Sequence, residues 1–178
     1  MKTPLALLLT ASTLLFAESF TLKSSDLEGQ LSMKQVFNGF GCKGENISPA
    51  LSWENTPEGT KSYALTVYDP DAPTGSGWWH WVVTDIPPST TSLPAGAGDL
   101  EGGMMPKGAI QSRTSYGSAG FGGACPPEGH PAHRYIFTIH ALDVGSLGLH
   151  PDATPALAGY MINSHTIQKA SLISYYGR

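Results

Sequence analysis

Short segments in which apolar and polar positions alternate recur along the chain, namely SFTLKS, KSYALTVYD, HWVVTDIP and HRYIFTIHALD. In the last of them, Tyr135 and Phe137 fall on one face, and Ile136 and Thr138 fall on the other. A repeat of two residues is the period of a β-strand, whose successive side chains point to opposite faces. Because both faces are largely apolar, this segment is typical of a strand inside a sandwich.

Helical spacing is found only near the end of the chain. Thr154 and Pro155 suit the N-cap and the first position of a helix, which is predicted over residues 155–170. The residues predicted to face inward are Leu157, Met161 and either Ile162 or His165. The sequence SLISYYG follows and predicts a final short strand, because it is rich in β-forming residues.

Long segments rich in Gly, Pro and Ser separate the predicted strands. The chain has 21 Gly and 14 Pro, with 40% apolar and 13% charged residues, which suits a compact domain with many turns. Loops of this length often carry function, although they can also merely brace the fold. No internal repeat or linker divides the chain, and one mainly β domain is predicted over residues 18–178.

The first seventeen residues, MKTPLALLLTASTLLFA, have the pattern of a secretory signal peptide. A basic residue, Lys2, precedes an apolar run from Leu5 to Phe16, and the small residue Ala17 comes before Glu18. A buried N-terminal helix and a retained membrane anchor are the alternatives, but the run is shorter than the roughly twenty residues that span a bilayer. The prediction is a periplasmic or secreted protein that begins near Glu18, without stable membrane insertion after cleavage.

The charge of the chain argues against partners that are bound by general electrostatics. Removal of Lys2 leaves nine Lys and Arg against fourteen Asp and Glu, a formal charge of −5. No basic run occurs, so neither nucleic acid nor an anionic membrane is predicted as a partner. An anionic ligand would need a local binding site.

Cys42 and Cys125 are the two cysteines of the chain, and each lies in a Gly-rich loop. An oxidising compartment favours a disulfide between them, whereas two free thiols are the alternative. No metal site is predicted, because the cysteines lack the spacing to further Cys or His ligands that is typical of zinc sites.

Several polar residues stand in apolar surroundings: Asp69 and Asp71 in DPDAP, His80 in WWHWVV, and His133 with Tyr135 in HRY. A carboxylate beside an imidazole fixes its tautomer and leaves the second ring nitrogen free for a ligand. Two such imidazoles and the N–H groups of Gly-rich loops could bind an anion without Lys or Arg. Taken singly, DPDAP can equally form an Asx-type turn, and a histidine such as His80 can be part of the core.

The motifs YDPDAP, WWHWVV and GFGGACPPEGHPAHRYIFTIHALD, in this order, resemble the phosphatidylethanolamine-binding protein family and its bacterial Raf-kinase-inhibitor-like branch. The resemblance extends from Phe20 to Tyr176. It implies a Greek-key antiparallel β-sandwich with a C-terminal helix and a final short strand. It also implies a small pocket for anions such as phosphate at one end of the sandwich.

The residues that the resemblance assigns to this anion pocket are Asp69, Asp71, His80, Pro127, His133 and Tyr135. Both aspartates are expected to orient and charge the pocket, although Asp71 could either contact the ligand or only brace Asp69. Both histidines are expected to donate to the anion. Trp78, Trp79 and Trp81 are expected to wall the pocket and to pack the core. The chain departs from the family pattern at Ala124-Cys125, where a Gly-Pro pair is common, and at His130 and Pro131, which are inserted before HRY. We expect His130 to be an exposed loop histidine rather than a cover over the pocket mouth.

The predicted function is that of an exported, non-enzymatic binding protein that needs no cofactor. Its ligand would be phosphate, a phosphorylated small molecule or a head group, and its role regulatory or scaffolding. An alternative is an inhibitor of a protease or another protein, acting through the loops around the pocket. A hydrolase that uses Asp69 and His80 is the third possibility, but neither a GxSxG motif nor a metal-ligand set accompanies them.

Overall fold

The computed structural model describes residues 18–178, and the predicted signal peptide, residues 1–17, lies outside the described residues. The elements of the described part are, in chain order, β1 Thr21–Lys23, β2 Asn38–Gly39, β3 Cys42–Lys43, β4 Leu51–Glu54, β5 Ser62–Asp69, β6 Trp78–Ile86, β7 Ser92–Leu93, β8 Ile110–Gln111, β9 His133–Leu142, α1 Pro155–His165 and β10 Thr166–Tyr176. Within residues 18–178, no helix has the length and apolar character needed to cross a membrane.

The larger sheet is antiparallel and has the strand order β10-β9-β5-β6-β8. β5, β6 and β8 are neighbours in this order, and the next strand of the sheet, β9, returns to lie on the other side of β5. This arrangement is the Greek key, in which the fourth strand lies beside the first. It explains how two motifs distant in sequence, DPDAP at the end of β5 and HRY at the start of β9, become neighbours.

A smaller sheet of β1, β4 and β7 covers one face of the larger sheet. The shared core contains Trp53 from the smaller sheet and Trp81, Phe137 and Ile139 from the larger one, all at most 1% exposed. Burial of side chains of this size stabilises the fold by about 1.5–3 kcal/mol each. The predicted antiparallel β-sandwich is confirmed, and so is the two-residue alternation of β9.

Helix α1 covers the opposite face of the larger sheet, which explains why both faces of β9 are apolar. Thr154 is the N-cap, its hydroxyl accepts from the Leu157 N–H at 3.3 Å, and Pro155 opens the helix as predicted. The buried face consists of Ala158 and Ile162. The prediction that Leu157 faces inward was wrong, because its side chain is 48% exposed.

The helix ends five residues earlier than predicted, and β10 is correspondingly longer. Thr166 adopts an extended conformation, and the chain from there to Tyr176 pairs with β9. Thr166 and Ile167 are β-branched and therefore suit a strand better than a helix. Pairing with the edge of a buried sheet outweighs the helical spacing that extends past His165.

The Cys42–Cys125 disulfide is present and closes a sequence separation of 83 residues. Of the two states that the sequence allowed, the bridge rather than two free thiols is therefore found. It fastens the β2–β3 hairpin to the loop that precedes β9. The two loops that it joins form one side of the site described below.

Candidate functional site

Three strand ends meet at one end of the larger sheet and bring the predicted polar residues together. Asp69 is the last residue of β5 and pairs with Trp78, the first residue of β6. His133 is the first residue of β9, on the other side of β5. His80 is the extra residue of a β-bulge in β6 and lines the same cavity as Trp78. Strand alternation places Tyr135 on the same face as His133. This cavity, of about 220 Å³, is lined by all of these residues.

Asp69 is a buried carboxylate with hydrogen bonds at both oxygens. Its Oδ1 accepts from the N–H groups of Asp71 and Ala72, at 2.8 and 3.1 Å. Its Oδ2 lies 2.7 Å from Nδ1 of His133, which is 3% exposed. A carboxylate only accepts, so Nδ1 of His133 is the donor. Nε2 of His133 is therefore the ring nitrogen left for other contacts, as the sequence predicted.

A backbone carbonyl fixes the tautomer of His80, as Asp69 fixes that of His133. Its Nδ1 lies 2.7 Å from the carbonyl oxygen of Gly122 and donates to it. Burial is the largest influence on the ring and lowers the pKa of His80 to about 4. The neutral ring thus carries a lone pair at Nε2, and that atom has no hydrogen-bond partner within residues 18–178. The prediction that His80 donates to an anion therefore requires a proton that the free ring lacks at neutral pH.

Tyr135 provides a donor on the same wall. Its ring lies edge-on to that of His80, with ring centroids 5.1 Å apart. Burial raises the pKa of Tyr135, so the hydroxyl keeps its proton. Its oxygen is buried and, in the described part of the chain, unpartnered, as is the indole nitrogen of Trp78. Buried polar atoms are nearly always satisfied, so a group of unpartnered ones around a cavity indicates a place for a polar ligand.

The outer wall comes from loops that the motifs alone do not connect. Phe40 projects from the β2–β3 hairpin, and Cys125, Pro126 and Pro127 lie opposite the strand ends. Tyr116 completes the wall, and its hydroxyl donates to the Gly123 carbonyl at 2.7 Å. Pro127 was predicted to line the site. Phe40 and Tyr116 were missed, and the only signal for them was an aromatic residue within a Gly-rich loop.

Asp71 lies beside the cavity but does not line it. Its carboxylate binds Arg134 through the Nε, the Nη2 and the backbone N–H, at 2.7–2.9 Å. The hydrogen bonds from the Arg134 side chain are the main reason why the pKa of Asp71 falls to about 2. The expectation that Asp71 charges the pocket is therefore replaced by a bracing role, in which it joins the end of β5 to β9.

Two further expectations concern the surroundings of the cavity. Trp79 was expected to wall it, but strand alternation places this side chain on the opposite face, where it packs on Tyr68 at 4.6 Å. Trp81 is fully buried in the core, so of the three tryptophans Trp78 lines the cavity. His130 is an exposed loop residue as expected, although its Nδ1 lies 3.5 Å from Nε2 of His133.

A metal centre is not formed by these residues. Across residues 18–178, no group of three or more His, Cys, Asp or Glu side chains is arranged to hold a metal ion. The geometry instead defines a β-sandwich protein with a small cavity at one end of its larger sheet, where several buried polar atoms of the described residues have no partner.

Comparison with known proteins gives the family. The model of the phosphatidylethanolamine-binding protein family matches residues 23–177, so the chain belongs to this family. It is 49% identical over 162 residues to the UPF0098 protein YbcL of Escherichia coli, covering 90% of this chain and 88% of that protein. It is 47% identical over 159 residues to YbhB of the same organism, covering 87% of this chain and 98% of that protein.

The fold agrees with that of a solved relative. The crystal structure of Escherichia coli YbcL, described as a new member of the mammalian PEBP family, superposes with a TM-score of 0.88. The two chains are 48% identical, and the match covers 89% of this chain and 98% of that one.

Proposed function

We propose that this protein is an exported binding protein whose cavity takes the phosphate group of a small molecule or lipid head group. The observation that carries the proposal is the pair of buried, unpartnered atoms at the cavity, Nε2 of His80 and the hydroxyl of Tyr135. A tetrahedral phosphate offers several oxygens and can satisfy both atoms at once. The cavity, at about 220 Å³, suits a group of this size rather than a large ligand.

The cavity offers one hydrogen-bond donor and one acceptor, which together suit a phosphate that carries one proton. The hydroxyl of Tyr135 can donate to an ionised oxygen, whereas Nε2 of His80 accepts from a protonated oxygen. His133 is oriented in the same way by Asp69, with its Nε2 left for further contacts. A phosphate monoester near neutral pH supplies both kinds of oxygen, because its second pKa is about 6.

Binding is favoured over catalysis by the state of the nucleophiles around the cavity. The sulfur of Cys125 is held in the disulfide. The hydroxyls of Thr74 and Tyr116 donate to backbone carbonyls, so neither is paired with a base. A hydrolase would need an activated nucleophile or a metal-bound water beside the scissile bond.

Export and a regulatory or scaffolding role complete the proposal. The Cys42–Cys125 disulfide suits an oxidising compartment such as the periplasm. A relative from Mycobacterium tuberculosis, LppC, 38% identical over 137 residues, is named as a candidate lipoprotein. We infer a role in which occupancy of the cavity is sensed or stored rather than chemically converted.

Calorimetric titration tests the cavity directly. The purified protein would be titrated with inorganic phosphate and with O-phosphorylethanolamine, and the same titrations would be run on His80→Ala and Tyr135→Phe. His150→Ala is the matched control, because His150 is an exposed histidine that does not line the cavity. The expected result is saturable binding by the parent and the control, and a loss of about tenfold or more in the two cavity variants.

Three outcomes would argue against this function. If the parent protein binds neither ligand, the unpartnered atoms serve the fold alone. If His150→Ala weakens binding as much as His80→Ala, the anion binds elsewhere. Release of phosphate from O-phosphorylethanolamine during the titration would replace binding with hydrolysis.

A further inference from the structure

A second, larger depression lies beside the cavity. This groove has a volume of about 1070 Å³ and shares Phe40 and Tyr116 with the cavity. Large apolar side chains line it and remain in contact with water, since Phe40 is 69%, Leu100 58% and Met104 42% exposed. Exposed apolar side chains grouped in this way are typical of surfaces that bind another molecule.

The charge of the groove is of one sign. Glu45, Asp99 and Glu101 line it and are exposed, whereas its lining includes no Lys, Arg or His. Among residues 18–178, no cationic side chain forms an ion pair with these three carboxylates. Uncompensated carboxylates beside apolar surface attract a cationic, amphipathic partner and repel an acidic one.

The floor of the groove is held in one conformation by close packing. A Cβ atom at Gly98 would lie 2.3 Å from Cβ of Phe121, and one at Gly122 would lie 2.3 Å from the ring of Tyr116. The side chain of Asn46 ties its own loop to residues 121–123, donating to the Phe121 carbonyl and accepting from the Gly123 N–H. A floor fixed in this way loses little conformational entropy when a partner binds.

We propose that this acidic groove binds a basic segment of a partner protein in which Lys or Arg alternates with apolar or aromatic residues. The cations would lie near Glu45, Asp99 and Glu101, and the apolar side chains would cover Leu100 and Met104. A polypeptide segment fits better than a small molecule, because the groove is open and exceeds the roughly 300–1,000 Å³ of ligand pockets. The groove shares the walls Phe40 and Tyr116 with the phosphate cavity, but the carboxylates and apolar side chains proposed to contact the peptide lie outside that cavity.

Fluorescence anisotropy with a short labelled peptide tests the proposal. The probe alternates Lys or Arg with Leu or Phe, and a second peptide has every Lys and Arg replaced by Gln. The protein variants are Glu101→Gln and Leu100→Ser, with Glu58→Gln as the control, because Glu58 is an exposed carboxylate outside the groove.

Saturable binding of the basic peptide is expected, with weaker binding in higher salt. Glu101→Gln should weaken it about two- to fivefold, and Leu100→Ser should weaken it by at least as much. Glu58→Gln should leave it unchanged, because Glu58 lies outside the groove.

Binding of the Gln-substituted peptide with the same affinity would overturn the proposal, and so would equal effects of Glu58→Gln and Glu101→Gln. Absence of saturable binding would overturn it as well. Sedimentation of the parent protein as a dimer that Leu100→Ser dissociates would assign the groove to a second copy of this chain instead.

Discussion

Raising the pH from about 6 to about 8 should weaken the binding of a phosphate monoester to the cavity. His80 donates through Nδ1 to the Gly122 carbonyl, so its neutral ring offers a lone pair at Nε2. Burial lowers the pKa of His80 to about 4, outweighing the opposing effect of that hydrogen bond. An ionised phosphate oxygen would meet this lone pair unfavourably, so the contact has to include a proton.

The proton can come from the histidine or from the ligand, and in both cases binding should weaken as the pH rises. Protonating a free His80 at pH 7 costs about 4 kcal/mol when its pKa is about 4. A monoester with a second pKa near 6 carries the proton at pH 7 at a cost of about 1.4 kcal/mol. The ligand is the less costly source. The monoanion fraction falls from about one half at pH 6 to about one hundredth at pH 8, which predicts a loss of affinity of ~50-fold.

Calorimetry with methyl phosphate measures this effect. Titrations at three pH values between about 6 and 8, each in two buffers of different ionisation enthalpy, give the number of protons taken up per ligand bound. That number should rise from about one half at pH 6 to about one at pH 8. Dimethyl phosphate, which has no proton to supply, should bind weakly and without this pH dependence. Equal affinities of methyl phosphate at both ends of the range would refute the reasoning.

The remaining predictions concern stability and the two aspartates. The double variant Cys42→Ser/Cys125→Ser should lose about 4–5 kcal/mol of unfolding free energy in urea, because the bond closes 83 residues, and a loss below about 1 kcal/mol would contradict this. Asp69→Asn should weaken phosphate binding in calorimetry far more than Asp71→Asn, since Asp69 orients His133 and Asp71 binds Arg134. Equal losses of affinity would show that Asp71 also takes part in phosphate binding. Thr154→Ala should cost about 1 kcal/mol in the same urea assay through the lost N-cap, and no change would show that the cap is redundant.

Much of the cavity was predictable because it is built on strand ends. The alternation of β9 places Tyr135 on its inward face, and the family motifs indicate which strand ends meet. Asp69 and His133 were therefore correctly expected to lie together, 64 residues apart in the sequence. His80 faces inward through a β-bulge in β6, which alternation alone does not predict. The Greek-key sandwich followed from the family motifs, and the disulfide was favoured over free thiols by the oxidising compartment that the predicted signal peptide implies.

Other features depended on partners that no local pattern identifies. Asp71 is two residues from Asp69 and of the same type, but its carboxylate is taken by Arg134, which only the pairing of strands brings near. Helical spacing continues past His165, although pairing with β9 turns those residues into a strand. Phe40 and Tyr116 reach the cavity from loops whose course depends on tertiary contacts.

The burial of Asp69 explains how the cavity keeps its geometry. An isolated carboxylate that is 3% exposed would cost several kcal/mol of desolvation. Two backbone N–H groups from the turn after β5 and one imidazole N–H from β9 offset that cost. The third of these hydrogen bonds fixes the ring of His133, just as the Gly122 carbonyl fixes the ring of His80. Since the fold orients both imidazoles before any ligand arrives, phosphate binding would lose little conformational entropy in ordering the site. Its affinity would therefore depend mainly on the proton that the ligand carries.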